Sequence, residues 1–191
     1  MTPTKLHQRL ERLANLLRRE TRTAGADYGL QPVQWEALHY LSRCNRYSDM
    51  PQAVTEYLGS TKGTVSQTLK VLEKKGFISK HLDPGDRRVV HMRLTGTGRE
   101  RLHAALPAPA LVQACENLSA AQLSTLDDGL EALLGSIQQT NGLRRFGVCK
   151  SCHANQAGDQ GFLCSLTGEP LSETEIRQIC REHQQAEAAD H

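Results

Sequence analysis

Leu6, Leu10, Leu13 and Leu17 recur every three or four residues between positions 4 and 22, with Arg9, Arg12, Arg18, Arg19 and Arg22 set between them. That period gathers the leucines on one stripe and leaves the arginines to the remaining surface, which predicts an amphipathic helix ending near Gly25. A second stripe, Trp35, Leu38 and Leu41, predicts a helix over about 32–44, and PQAVTEYL a short third one stopped at Gly59. Ser60 is a candidate N-cap for a fourth helix, TKGTVSQTLKVLEKK, terminated by Gly76. A hydroxyl at that position satisfies a free amide of the first turn, and a glycine tolerates the left-handed residue that closes the last.

Past Gly76 the pattern shortens to two extended runs, FISKHL and VVHMRLT, joined by DPGDRR. Pro84 presets its own backbone angle and Gly85 accepts a positive one, so the runs form a hairpin with a tight tip. A fifth helix starts near Gly98 and is interrupted around Pro107 and Pro109, because PAPA cannot continue an unbroken helix. Ser119 and Gln122 form a capping box, stapled by Leu118 and Leu123, at the head of a helix running to about 140. Its stripe of Leu123, Leu126, Leu130, Leu133, Leu134 and Ile137 suits packing on another long helix. Gly142 closes it and separates a main domain, 1–142, from a C-terminal module, 143–191. In that module Ser172 and Glu175 repeat the capping signature, with Leu171 and Ile176 as staple, and predict a final helix carrying Ile176, Ile179, Cys180 and His183 on one face. The fold class is mainly α with a small β-hairpin wing.

Aromatic residues are only 4% of the 191, so the core is aliphatic, which favours helices over a sandwich. No apolar run approaches the ~18 residues of a membrane span and the N-terminus lacks an apolar signal core, so a cytoplasmic protein with no membrane partner is expected. There, six cysteines read as ligands, catalysts or buried hydrophobes before a disulfide framework. The net charge of +2 is unevenly spread: residues 60–101 hold ten basic residues against four acidic ones, while 141–191 hold five against seven. Concentration of the basic field in one supersecondary unit points to a polyanionic partner.

On the fourth helix Val65, Leu69 and Leu72 form one side, and Gly63, Gln67, Lys70 and Lys74 the other, with Thr64 and Ser66 near its N-terminal end. Any surface helix has a polar face. Here it follows a short helix and a glycine-containing turn and precedes a hairpin tipped by Arg87 and Arg88, the order of a helix-turn-helix with a wing. The candidate DNA contacts, within about 31–100, are therefore Ser60, Lys62, Gly63, Thr64, Ser66, Gln67, Lys70, Lys74, Arg87 and Arg88. Asp86 can pair with Arg88 and hold the wing tip in shape.

The stretch VTEYLGSTKGTVSQTLKVLEKKGFISKHLDPGDRRVVHMRLTGTGRE resembles the multiple-antibiotic-resistance regulator (MarR) family of bacterial transcription factors. GTVSQTLKVLEKKGFI, DPGDRRVVHMRLT and TGTGRE carry it most specifically, and the similarity extends over roughly 4–140. It implies a homodimer in which the first, fifth and sixth helices dimerise and two winged helices read palindromic double-stranded DNA. PAPA departs from the long continuous fifth helix of that family. The resemblance also implies a pocket for a small anionic or aromatic effector, with Trp35, His39 and Tyr40 as lining candidates, or a reactive thiol, for which Cys44 and Cys115 are available. Both cysteines also read as small buried hydrophobes.

The remaining cysteines are spaced C149-x2-C152-x11-C164-x15-C180, with His153 and His183 as reserve ligands. CKSCH matches the spacing of haem attachment, but haem leaves Cys164 and Cys180 unused and is attached outside the cytoplasm. Four converging thiolates suit an iron–sulfur cluster, or alternatively zinc, while a thiol or disulfide switch is a further reading. The expected centre lies beside the dimerisation helices and away from the recognition helix. The whole reads as a DNA-binding regulator, a repressor and not an enzyme, modulated at its C-terminus. An electron-transfer protein built on the cysteines and a non-specific DNA binder are the competing readings.

Overall fold

The computed structural model describes residues 2–184, apart from 27, 104, 105, 107, 159 and 160. Helix α1 spans Pro3–Ala26, α2 Pro32–Arg43, α3 Pro51–Leu58 and α4 Lys62–Lys74. Strands β1 (Ile78–Leu82) and β2 (Val90–Leu94) pair antiparallel with Ile78 opposite Leu94 and Leu82 opposite Val90. Helices α5 (Gly96–His103), α6 (Pro109–Glu116) and α7 (Ala120–Thr140) follow. The mainly helical winged fold with its hairpin wing is therefore as expected.

The core sits where the apolar stripes placed it. Trp35, Leu38 and Leu41 of α2 meet Ala53 and Val54 of α3, Val65, Leu69 and Leu72 of α4, and Ile78, Met92 and Leu94 of the hairpin. Burying such aliphatic side chains contributes roughly 1.5–3 kcal/mol each, which fixes the orientation of α4 and turns its other face outward. The cap of α4 is corrected by one residue. Thr61, not Ser60, is the N-cap, and its hydroxyl accepts from the Thr64 amide at 3.2 Å. The Ser60 amide instead closes the preceding turn on Thr55 O.

Gly98 explains the TGTG motif. A Cβ there would lie 2.2 Å from the carbonyl oxygen of Phe77, so only glycine lets α5 approach the start of the wing. The Thr95 hydroxyl donates to Gly76 O and accepts from the Gly98 amide. The helical path is interrupted between α5, described as far as His103, and α6, which begins at Pro109: Leu106 and Ala108 lie outside any helix, and residues 104 and 105 and Pro107 lie outside the described residues. The capping box of Ser119 and Gln122 forms as expected. Along α7 only Gly135 is buried, and Leu126, Leu130, Leu134 and Ile137 stand exposed, as do Leu13, Leu16 and Leu17 of α1.

The C-terminal segment is two small sheets. Strand β3 (Gly147–Val148) pairs with β7 (Ile179–Cys180), while β4 (Asn155–Gly158), β5 (Gly161–Cys164) and β6 (Glu169–Leu171) form an antiparallel meander. The final helix expected after Ser172 is corrected. Its capping box forms, with the Glu175 amide donating to Ser172 Oγ, but only a 3₁₀ turn, Glu175–Arg177, results. Tertiary partners take the backbone groups a helix would have used: the Cys149 amide donates to Gln178 O and the Asn45 amide to Ile179 O. The polar end beyond 184 lies outside the described residues.

Candidate nucleic-acid interface and four-thiol site

Packing of Val65, Leu69 and Leu72 leaves Lys62, Gly63, Thr64, Ser66, Gln67, Lys70 and Lys74 exposed along one side of α4. Ser60 is half-buried in the turn before it. The first turns present small hydroxyl and amide groups able to approach base edges, and the last turns present ammonium groups suited to phosphates. Lys80 is not free for that role, since its ammonium lies 2.7 Å from Glu73 at the end of α4.

The wing tip is shaped by its own carboxylates. Asp83 Oδ1 accepts from the amides of Gly85 and Asp86 at 2.7 and 2.8 Å. Asp86 accepts from the Arg88 amide and guanidinium, the expected pairing. Arg88 remains 90% exposed and Arg87 is exposed beside it. The backbone amides together with His91 hold Asp83 below the usual carboxylate range, and Arg88 does the same for Asp86.

Sequence reasoning passed over His91. Its Nδ1 lies 2.5 Å from Asp49 Oδ1, in the connection between α2 and α3, and its Nε2 lies 3.2 Å from Asp83 Oδ2. Burial alone would push the imidazole down, but these two carboxylates outweigh it and hold His91 above its ordinary value. Together with the Met92 amide donating to Asp49 O, the imidazole fastens the base of the wing to the connection before α3.

Trp35 and His39 line a cavity of about 850 Å³ between α1, α2 and α5, together with Arg18, Arg22, Arg43 and Arg99. Burial, then Arg43, lowers His39 to about 4. Tyr40, the third expected lining residue, does not reach it. It is fully buried and donates to Ser48 O at 2.8 Å. Cys44 is buried and burial pushes its thiol up, the opposite of what a reactive thiol needs, whereas Cys115 is half-buried.

The four remaining cysteines come from three pieces of backbone. Cys149 opens and Cys152 follows the 3₁₀ turn Cys149–Ser151, Cys164 ends β5 and Cys180 ends β7. Cys149, Cys180, Leu171 and Ile176 form a small core with Cys164 packed against it. The thiols feel one another: burial raises Cys149 to about 11, and Cys180, Cys152 and Cys164 add to that. Among the described residues, however, no group of three or more His, Cys, Asp or Glu side chains is arranged to hold a metal ion. All six cysteines are free thiols.

Donors surround the sulfurs. The Gln184 amide donates to Cys152 Sγ at 3.4 Å. Burial pushes the Cys180 thiol up, while Asn45, the backbone at Glu182 and Ser48 oppose that by favouring its charged form. Asn45 is 1% exposed and its Nδ2 finds no conventional acceptor. A sulfur carrying thiolate charge would satisfy it. Of the reserve ligands, His153 is exposed, and His183 lies over Gly147 with its Nε2 3.1 Å from Ser151 Oγ.

The expected position beside the dimerisation helices is corrected in part. Arg145 does lie against Gly135 of α7. The denser contacts run to the connection 44–50 between α2 and α3, and to Glu56 on α3. The reason is β7: as a strand it needs a backbone partner, and the chain at Cys44–Asn45 supplies one.

A short helix, a tight turn, a polar-faced helix and an arginine-tipped hairpin define a winged helix-turn-helix. Residues 28–89 match the model of the MarR family. The chain is 29% identical over 113 residues to the transcriptional repressor MprA of Escherichia coli, covering 58% of this chain and 64% of that one, just under two thirds of its length. It is 37% identical over 70 residues to an uncharacterised HTH-type transcriptional regulator, YdcH, of Bacillus subtilis, over 37% of this chain and 48% of that one. Among solved structures, a MarR/EmrR family transcriptional regulator from Acinetobacter is 25% identical, with a TM-score of 0.56, covering 71% of this chain and 96% of that one. Streptococcus pneumoniae FabT in complex with DNA shares the fold at a TM-score of 0.58 and 24% identity, over 73% of this chain and 99% of that one. MprA, YdcH and the Acinetobacter protein are each named as regulators of transcription. Among the described residues no helix is long and apolar enough to cross a membrane.

Proposed function

We propose that this chain is a transcriptional repressor that binds a palindromic DNA operator as a homodimer. The observation that carries the reading is the exposed row from Lys62 to Lys74 on a helix fixed by its apolar face, with Arg87 and Arg88 projecting from the wing beyond it. In a dimer, two α4 helices enter successive major grooves about one helical turn apart and the wings reach flanking phosphates or the minor groove. The exposed leucines of α1 and α7 are apolar surface that one protomer leaves wet and a second copy would cover. The arginine-rich cavity beside Trp35 has the charge for a small anionic effector.

The C-terminal module holds a metal centre on Cys149, Cys152, Cys164 and Cys180, read first as an iron–sulfur cluster and otherwise as zinc. The free thiols of Cys149 and Cys180 in one small core with Cys164 packed against it, and the Asn45 and Ser48 side chains aimed at the Cys180 sulfur, support it. When bound, the centre would supply cross-links between three pieces of backbone; Asn45, Ser48 and the Gln184 amide supply hydrogen bonds to its sulfurs.

The test begins with a duplex selected by the full-length protein from a random library, read by fluorescence anisotropy across a salt series. A palindromic sequence bound at least ~1,000-fold more tightly than scrambled DNA is expected. In the double variant R87A/R88A the slope of log affinity against log salt falls by about 2, one phosphate contact per arginine. Equal affinity for unrelated duplexes would leave a non-specific binder, and no duplex binding at low salt would overturn the reading altogether.

A further inference from the structure

Every residue from Asn45 to Asp49 is committed to something outside its own connection. The Asn45 amide donates to Ile179 O at 2.9 Å. Arg46 donates to Pro170 O at 2.9 Å and pairs with Glu169 and Glu175 at 3.0 and 2.9 Å. Tyr47 donates to Glu169 at 2.6 Å. Ser48 Oγ accepts from the Arg181 amide at 2.8 Å, and Asp49 holds His91 and the Met92 amide of the wing. Four of the five residues thus face the C-terminal module, and the fifth faces the DNA-contacting hairpin.

The same edge of the module reaches α3. Arg181, one residue past Cys180, donates from Nε and Nη2 to the two oxygens of Glu56 at 2.6 and 2.8 Å. Its side chain is 11% exposed and that of Glu56 28%, so solvent screens this two-point clamp less than an open surface pair. Glu56 sits two residues before the end of α3, and α3 packs directly on α4. Phe146, on the chain entering the module, meets the rings of Tyr40 and Tyr57 edge-on at 6.0 and 5.2 Å. Cys180 therefore lies between Asn45 and Ser48 on one side and the Glu56 clamp on the other.

We propose that the state of the four-thiol centre is transmitted to DNA through the Cys180–Arg181 edge, which positions the 44–50 connection and α3, and through them the recognition helix and the wing. This rests on the reading of the four thiols as a metal site. It places regulation inside each winged helix, independent of any rearrangement of the dimerisation helices. A centre that cross-links Cys180 to Cys149, Cys152 and Cys164 holds β7 as a straight edge; released, β7 depends on its two-residue pairing with β3 and on single bonds to Asn45 and Ser48 to keep Arg181 on Glu56. Arg181 and Glu56 are positioning residues and touch neither the centre nor the DNA-facing side of α4.

The experiment uses the full-length protein purified anaerobically, its metal and acid-labile sulfide content measured, then stripped with a chelator and reloaded with Zn(II) or left empty. Affinity for the selected duplex is read in the loaded and stripped forms of the wild type, R181A and E56Q, with metal stoichiometry and circular dichroism checked for each. The wild type is expected to differ at least tenfold between the two forms. R181A and E56Q, binding the same amount of metal with the same helical content, should differ by less than twofold. A wild-type ratio near one, or an undiminished ratio in both variants, overturns the coupling. A protein that takes up no metal in any form overturns the metal site and the coupling with it, and one that selects no duplex overturns the DNA-binding reading instead. Iron with sulfide and visible charge-transfer bands identifies a cluster, and one colourless zinc per chain identifies zinc.

Discussion

Substituting Gly98 by alanine tests whether α5 and the wing are joined as closely as the backbone contact implies. An added Cβ would stand 2.2 Å from Phe77 O and 3.1 Å from Phe77 C, both backbone atoms that no rotamer change can move aside. Restoring ordinary contact requires α5 and the chain at Phe77 to part by about 1 Å, and small-to-large changes in tight sites typically cost about 1–3 kcal/mol. The same shift stretches the bond from the Thr95 amide to Phe77 O and the bond from the Thr95 hydroxyl to Gly76 O, at 3.0 and 2.6 Å, each contributing about 1 kcal/mol. Against this, alanine in a helix gains roughly 1 kcal/mol over glycine. The balance is a loss of about 2–4 kcal/mol, or a fall in Tm of roughly 4–16 °C for a chain of this size. Thermal and urea melts followed by circular dichroism at fixed protein concentration read it, with the urea midpoint lowered and the slope unchanged. Gly96→Ala is the control, because nothing lies within 4 Å of its added Cβ, and it should melt within about 2 °C of wild type. A Gly98→Ala protein that melts with the control would refute the close approach.

Two further outcomes follow from the same structure. His91 is held above its unfolded value by Asp49 and Asp83, so its stabilisation is complete below about pH 6.5 and is lost as pH rises through the higher folded value; wild type should lose stability to urea over that rise while His91→Gln stays flat, and parallel pH profiles would count against the bridge. Leu130→Glu with Leu134→Glu, on the exposed face of α7, should weaken self-association at least ~100-fold, about 2.7 kcal/mol, in sedimentation without loss of helix content, and an unchanged dimer would exclude that face as the interface.

The winged helix was legible because its signals are local. Apolar spacing on α2 and α4, the Pro-Gly hairpin tip and the Ser119 capping box each fix structure within a few residues of themselves, and all four appear where they were read. The misses within that region are of one kind. Ser60 and Thr61 are adjacent hydroxyl residues with equal capping chemistry, and only the backbone at Thr61, with its hydroxyl aimed at Thr64, separates them. Tyr40 on an amphipathic helix could face cavity or core, and the Ser48 carbonyl eight residues on decides it.

The C-terminal segment was misread for a different reason. Ser172 and Glu175 do form the capping box their spacing announces, but a cap stabilises only the first turn, and a helix persists only if each further turn gains more from its own hydrogen bonds and packing than from alternatives. At Ile179 and Cys180 the alternatives were Val148 and Gly147 on one side and the chain at Asn45, 134 residues earlier, on the other. No local pattern encodes such a partner, just as nothing in the sequence marks Glu56 as the counterion of Arg181. The consequence reaches beyond secondary structure. A helix would have left the site as an appendage of the dimerisation helices, whereas a strand keeps Cys180 in one small core with Cys149 and sets its sulfur beside Asn45 and Ser48, in the connection that leads into α3 and α4. The physical position of a single backbone edge thus decides which elements the four-thiol module touches: the 44–50 connection and α3 rather than α7 alone.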